Sequence, residues 1–234
     1  MNPVLAGVDG CPAGWYAVSG PQADGRVAGA VHAGFADLLQ ALPATTRVAV
    51  DIPIGLNDSG ERACDQAARQ RLGPRASSIF TAPLRGVLGA ASHPEASARR
   101  RAVEGKGMSI QAYNILRKVE EVDTALRASA AWAGRVHETH PEVCFLEMNG
   151  GVPLAYGKKG AEGRRLRLTL LEAVFPGQAE RLLDEFPRRA VQADDVLDAL
   201  ACLWTAQRLA QGRARTLPAV PPQDACGLRM AIHY

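Results

Sequence analysis

The apolar positions of the chain fall into two rhythms. Short β-rich runs come first, at residues 4–9, Trp15–Ser19 and Val27–Val31, set apart by turns of Gly, Pro and Asp. Three short strands in succession predict an antiparallel meander. The spacing then turns helical, with Phe35, Leu38, Leu39 and Leu42 on one face before Pro43. Arg47–Ile52 (RVAVDI) returns to a β-branched run. A helix leading from one apolar strand to another predicts a parallel crossover, so the chain opens β-β-β-α-β.

Pro53 ends that strand. From Asn57 to about Gly107 the sequence is Arg-rich, with Gly, Ser and Pro interspersed and only short helical pieces, which predicts an insertion over the mouth of the sheet. Ser109 is expected to cap a longer helix reaching Leu126, with Leu116, Val119 and Leu126 as its apolar stripe, so the insertion spans about 57–130. Val136–Leu146 (VHETHPEVCFL) reads as a fifth strand broken near Pro141. Two helices follow at about 161–175 and 176–186. A last helix starts at Asp194 or Asp195 and carries Val196, Leu197, Leu200, Leu203 and Trp204 along one side. The tail GLRMAIHY is expected to add an edge strand. The whole is one α/β domain over 1–234, in the order β-β-β-α-β-α-β-α.

Composition changes this picture little. Net charge is 27 − 24 = +3, which by itself does not mark a nucleic-acid binder. Its distribution says more: residues 61–118 hold eleven Lys or Arg against four acids, and 158–167 hold five against one. The five cysteines form no CxxC pair, which argues for a reducing compartment and against zinc. Met1-Asn2-Pro3 leads straight toward a strand and no apolar run reaches ~18 residues, so a cytoplasmic protein without a membrane segment is expected.

Four acids stand where apolar residues belong. Asp9 closes the first strand in GVDGCPAGW, although Asp-Gly is also an ordinary turn signal. Asp51 ends the fourth strand between Val50 and Ile52. Asp195 and Asp198 lie three apart, on one face of the last helix. Asp194 could cap that helix and Asp195 serve its dipole, but Asp198 is too far along for either. A lone buried Asp costs several kcal/mol unless paired or metal-bound. If the four converge, they repel one another unless cations bind, and hard oxygen ligands select Mg²⁺ or Mn²⁺. Such a cluster suits two-metal hydrolysis of phosphodiesters.

GVDGCPAGW, VAVDIP and DDVLDALA together resemble the ribonuclease H-like fold, and Asp195-x-x-Asp198-Ala-Leu-Ala is similar to the last acidic motif of its Holliday-junction resolvases. From about residue 4 to 210, the chain resembles an uncharacterised family described as predicted nucleases of that fold, through RLGPRASSIFTAP, GKGMSIQAYNI, HPEVCF and DDVLDALACLW. The resemblance implies a ribonuclease H-like five-stranded sheet and nuclease activity on a nucleic acid. Ribonucleases H proper carry a Glu in their first helix, and Phe35–Leu42 has none, which favours the resolvase-like layout with the acid on strand four.

Other candidates surround these acids. Glu142 is a further potential ligand and His140 could orient water or phosphate, whereas Glu138 and His140 on a solvated edge is the ordinary alternative. Arg69, Arg75, Ser77, Ser78 and Arg85, around SSIFTAP, suit phosphate and sugar contacts. Phe80 could stack a base, although core packing is the commoner fate of one Phe. Lys158 and Lys159 predict a basic loop near substrate. A non-catalytic nucleic-acid-binding or adaptor module on the same fold is an alternative. A phosphotransferase or ATPase is a weaker one, since the chain lacks a second phosphate loop.

Overall fold

The computed structural model describes residues 4–21 and 25–234. The lead-in Met1–Pro3 and part of the turn after the second strand lie outside the described residues. Three strands, β1 (Leu5–Cys11), β2 (Gly14–Gly20) and β3 (Ala28–His32), form the expected antiparallel meander. β1 runs through Asp9-Gly10, and the turn falls at Pro12-Ala13, with Cys11 opposite Gly14. The short helix α1 (Phe35–Ala41) then leads to β4 (Arg47–Val50), which pairs in parallel with β1.

The Arg-rich segment contributes α2 (Ala63–Leu72), 3-10 turns at Gly73–Ser78 and Arg85–Val87, and α3 (His93–Glu104). Ser109 caps the next helix as expected, its hydroxyl accepting from the Ala112 amide at 3.2 Å. That helix is in two pieces, α4 (Ile110–Asn114) and α5 (Leu116–Ala128), and Leu116, Val119 and Leu126 are buried as the stripe predicted. A single turn, α6 (Ala130–Ala133), precedes β5 (Val136–Glu138), parallel to β4. The sheet order is β3-β2-β1-β4-β5.

The fifth strand is shorter than its apolar run suggests. Pro141–Met148 is a helix, α7, rather than the second half of a broken strand. Pro141 occupies the first helical turn, where a missing N–H costs nothing. Val143, Cys144, Phe145 and Leu146 are all buried, so the helix shows no amphipathic rhythm by which to recognise it. α8 (Ala161–Glu172), α9 (Gln178–Glu185) and the long α10 (Ala193–Ala210) follow. The tail does not add an edge strand to the sheet. β7 (Ile232–His233) pairs with β6 (Thr216–Leu217) in a separate two-stranded sheet and meets the end of β5 through one bridge, Thr139 to His233.

Alternation along the strands divides the core. Leu5 and Cys11 face a layer of α2, α7, α8, α9 and α10, while Ala6 and Val8 face α1 and α5. A small third cluster (Leu84, Val87, Ala96, Met108, Ala112, Leu116) joins α3 and α4 to the start of α5. α2 instead packs into the main core through Cys64, Ala68 and Leu72.

Candidate active site

Strand register sets the first pair of acids. Val8 stands opposite Val50 in the parallel β1–β4 ladder, so Asp9 and Asp51 each follow by one residue at the same edge. The Asp51 amide donates to the Val8 carbonyl at 3.0 Å, which extends the ladder to the acid itself. Alternation places Asp9 on the α10 face, with Leu5 and Cys11.

α10 supplies the second pair, and Gly7 lets it approach. A Cβ on Gly7 would lie 2.0 Å from the Leu203 nitrogen and 2.1 Å from the Ala199 oxygen. Only a residue without a side chain permits helix backbone to lie on strand backbone here. Asp198, next to Ala199, is thereby brought down beside the strand ends, buried at 2% exposure. Asp195 lies one turn earlier. The N-cap is Gln192 rather than Asp194: Asp195 Oδ2 accepts from the Gln192 amide at 2.8 Å in a capping box.

The four carboxylates share one electrostatic site. Burial pushes Asp9 well above the usual carboxylate range, and the charges of Asp51, Asp198 and Asp195 raise it further against the pull of Lys158. Asp51 is raised by burial and by Glu142, with His140 and Lys158 opposing. Burial lifts Asp198 to about 7 in spite of Lys158, with Asp51 adding. Asp195 is lifted to about 6, again by burial first, against its bond from Gln192. Lys158 is the countercharge. Its Nζ donates to Asp198 Oδ2 at 2.6 Å and lies 4.0 Å from Asp194 Oδ2. The surrounding carboxylates hold its ammonium above the ordinary lysine range.

Around this cluster the remaining candidates divide. His140, at the N-cap of α7, favours the ionised form of Asp51, and its buried Nδ1 has no hydrogen-bond partner among the described residues. Glu142 lies close enough to raise Asp51, but its Oε1 accepts from the buried Arg167 and sits 3.5 Å from Arg75 Nη2. Arg75 also borders Gly157, one residue before Lys158. Lys159 and Ser77 are exposed and Ser78 is half-buried. Phe80 is 54% exposed, not packed in the core, and Tyr156 in the lysine loop is equally open.

Two arginines are engaged elsewhere. Arg69 pairs with Glu61 and donates to the Ile79 carbonyl at 3.1 Å and Thr81 Oγ1 at 3.3 Å, which ties down the loop after α2. Arg85 forks onto Asp123 at 3.1 and 2.9 Å and also binds Asp224, clamping α5 to the C-terminal segment.

Glu138, which the alternative reading put on a solvated edge, is not there. It is buried, and both of its oxygens accept from Arg62, at 2.7 and 2.8 Å, while Arg62 also binds both oxygens of Asp65. Burial still raises Glu138 to about 7. Cys64, Asp65 and Glu138 bring ligand atoms within 4.8 Å of one another and could hold a metal ion. The guanidinium already fills that role of countercharge. No pattern in the sequence marks Arg62, because Glu138 arrives from β5, 76 residues along the chain.

The chain belongs to the family described as "Protein of unknown function (DUF429)", whose model matches residues 7–223. The match spans every residue of the acidic cluster. No curated protein and no solved structure matches the chain. No helix among the described residues is long and apolar enough to cross a membrane.

Proposed function

We propose that this protein is a Mg²⁺- or Mn²⁺-dependent hydrolase of nucleic-acid phosphodiester bonds, working from Asp9, Asp51, Asp195 and Asp198 on a ribonuclease H-like sheet. One observation carries the reading: Asp51, Asp195 and Asp198 all raise the proton affinity of the buried Asp9, and Asp51 that of Asp198, while an ammonium is drawn in among them. Burying acids together costs a fold stability unless cations neutralise them, and a site for divalent cations needs such a cluster. Strand order β3-β2-β1-β4-β5, with acids on the central strand, its parallel neighbour and the helix across them, supports the ribonuclease H-like assignment.

The donor chemistry fits the proposed ions; among the described residues only Cys64, Asp65 and Glu138 already bring three ligand atoms within 4.8 Å of one another, so the aspartate oxygens must draw together on binding. All four are hard carboxylate oxygens, suited to Mg²⁺ or Mn²⁺. When bound, such ions supply an activated water and charge stabilisation at the phosphoryl oxygens. The chain's own residues do the rest. Asp9 and Asp51 are held in register by the ladder, and Asp195 by its capping box. His140 favours the ionised form of Asp51, the form that a cation needs. Arg75, Lys158 and Lys159 contact backbone phosphates, and Phe80 and Tyr156 offer faces for unpaired bases.

The test is a cleavage screen over single-stranded, duplex, hybrid and branched substrates, with Mn²⁺ or EDTA, using the parent and Asp51→Asn. The expected result is Mn²⁺-dependent cleavage that disappears in the variant. No metal-dependent cleavage of any substrate would refute the reading, and binding undiminished by EDTA would then favour a non-catalytic nucleic-acid module.

A further inference from the structure

A second concave feature lies away from the acidic cluster, at the outer edge of β5. It is a cavity of about 310 Å³ between the strand and the C-terminal segment, with His137, His233, Gln223 and Arg229 among its walls. That volume lies at the lower end of what small-molecule sites enclose.

Its polar wall is built, not accidental. Gln223 and Arg229 are joined by an antiparallel bridge. The turn between them is knitted by Asp224, whose Oδ1 accepts from the amides of Cys226 at 2.8 Å and Leu228 at 2.9 Å. Asp224 Oδ2 accepts from the Leu56 amide at 2.9 Å, anchoring the turn to the body of the protein. The two imidazoles meet edge to face with centroids 5.1 Å apart. His233 is fixed by Thr216 Oγ1 at 3.2 Å from Nδ1, and His137 Nε2 has no hydrogen-bond partner among the described residues.

The sign of the local charge selects the ligand. Two neutral imidazoles this close would suit a transition metal, but Arg229 bears on both rings and Arg47 on His137. Burial and these cations hold both rings well below the ordinary histidine range, His137 at about 3 and His233 at about 4. The carboxylate in the wall, Glu138, is already matched by Arg62. Arg62 is shared between Glu138 and Asp65, so the positive charge offered to a ligand is that of Arg229, for which no ion pair is found among the described residues. It repels a metal cation and attracts an oxyanion.

We infer that this cavity binds the phosphate group of a small phosphorylated molecule, held by Arg229 with His137, His233 and Gln223 as further hydrogen-bonding partners. The inference does not rest on the acidic cluster and stands or falls separately from it.

Thermal denaturation of the full chain in inorganic phosphate, against chloride at equal ionic strength, tests this. Phosphate is expected to raise Tm in the parent and in Asp9→Asn alike. Arg229→Ala, an exposed position, and His137→Asn should each reduce the increment by at least half. No increment in the parent, or an equal increment in both cavity variants, would overturn the assignment. A short oligonucleotide that abolishes the Arg229-dependent increment at equal phosphate concentration would also overturn it, by assigning the cavity to a nucleic-acid backbone.

Discussion

Lys158 Nζ and Asp198 Oδ2 lie 2.6 Å apart within the acidic cluster, so the lysine occupies ground that the proposed divalent cation would need. The lysine side chain is 40% exposed and sits on the loop leading to Gly160, whereas Asp198 is anchored in α10. The lysine is thus the partner able to leave. Lys158→Gln removes this internal competitor, and the Mn²⁺ concentration giving half the maximal Tm rise is expected to fall several-fold. In EDTA the same variant should melt below the parent, because the carboxylates lose their countercharge. An unchanged Mn²⁺ midpoint would show that lysine and metal do not share a place.

The raised carboxyls make stability depend on pH in a direction opposite to the usual one. Asp198 at about 7 and Asp195 at about 6 hold protons in the folded state that the unfolded chain, near 3.8, has already released. Where the folded state binds more protons, stability falls as pH rises. In EDTA the protein is therefore expected to be more stable at pH 5 than at pH 8, by about 1.4 kcal/mol for each pH unit over which one such group retains its proton. Asp198→Asn should flatten this slope and be no less stable than the parent at pH 8. Denaturation profiles in which the variant is clearly destabilised at pH 8 would instead make Asp198 a structural partner of Lys158.

Metal binding should be visible without any substrate. A ligand that binds only the folded state adds RT ln(1 + [L]/Kd), about 2.7 kcal/mol at a hundredfold excess over Kd. Millimolar Mn²⁺ is expected to raise Tm in the parent, and Asp9→Asn to remove most of that rise. The same rise in both proteins would separate Asp9 from the metal, and would point to Cys64, Asp65 and Glu138 instead.

Much of this geometry is legible in the sequence because local chemistry dictates it. The alternation of LAGVDGC fixes which face Asp9 takes, and the parallel crossover implied by Phe35–Val50 brings Asp51 level with it. Asp198 stands out because an acid so deep in an apolar helix has no local role. What stays hidden is non-local. α7 is enclosed on all sides and carries no amphipathic rhythm, so a strand is read in its place. The Arg62–Glu138 pair joins residues 76 positions apart. Lys158 reads as one cation of a basic loop near substrate, and its pairing with Asp198, 40 positions on, shows only in the folded chain.

The arginines of the long segment after β4 separate by what they touch, and salt dependence distinguishes them. Arg85 is 14% exposed and binds Asp123 and Asp224, which are themselves buried as side chains. Arg85→Ala takes a charge partner from two buried acids, and breaking a buried pair of this kind costs ~3–5 kcal/mol. It is expected to lower Tm sharply while leaving the salt slope of nucleic-acid binding, measured below the melting range, unchanged. Arg75 touches Glu142 only at 3.5 Å, borders the lysine loop and keeps a quarter of its side chain open. Arg75→Ala and Lys159→Ala are expected to leave Tm within a few degrees. Each should reduce the slope of log K against log salt by about one for every phosphate that the variant no longer neutralises. Fluorescence anisotropy with a labelled oligonucleotide over a salt series reads both effects. Slopes equal to the parent's in both variants would place the nucleic acid away from the lysine loop. A reduced slope in Arg85→Ala would mean that this arginine leaves its two acids to meet the substrate.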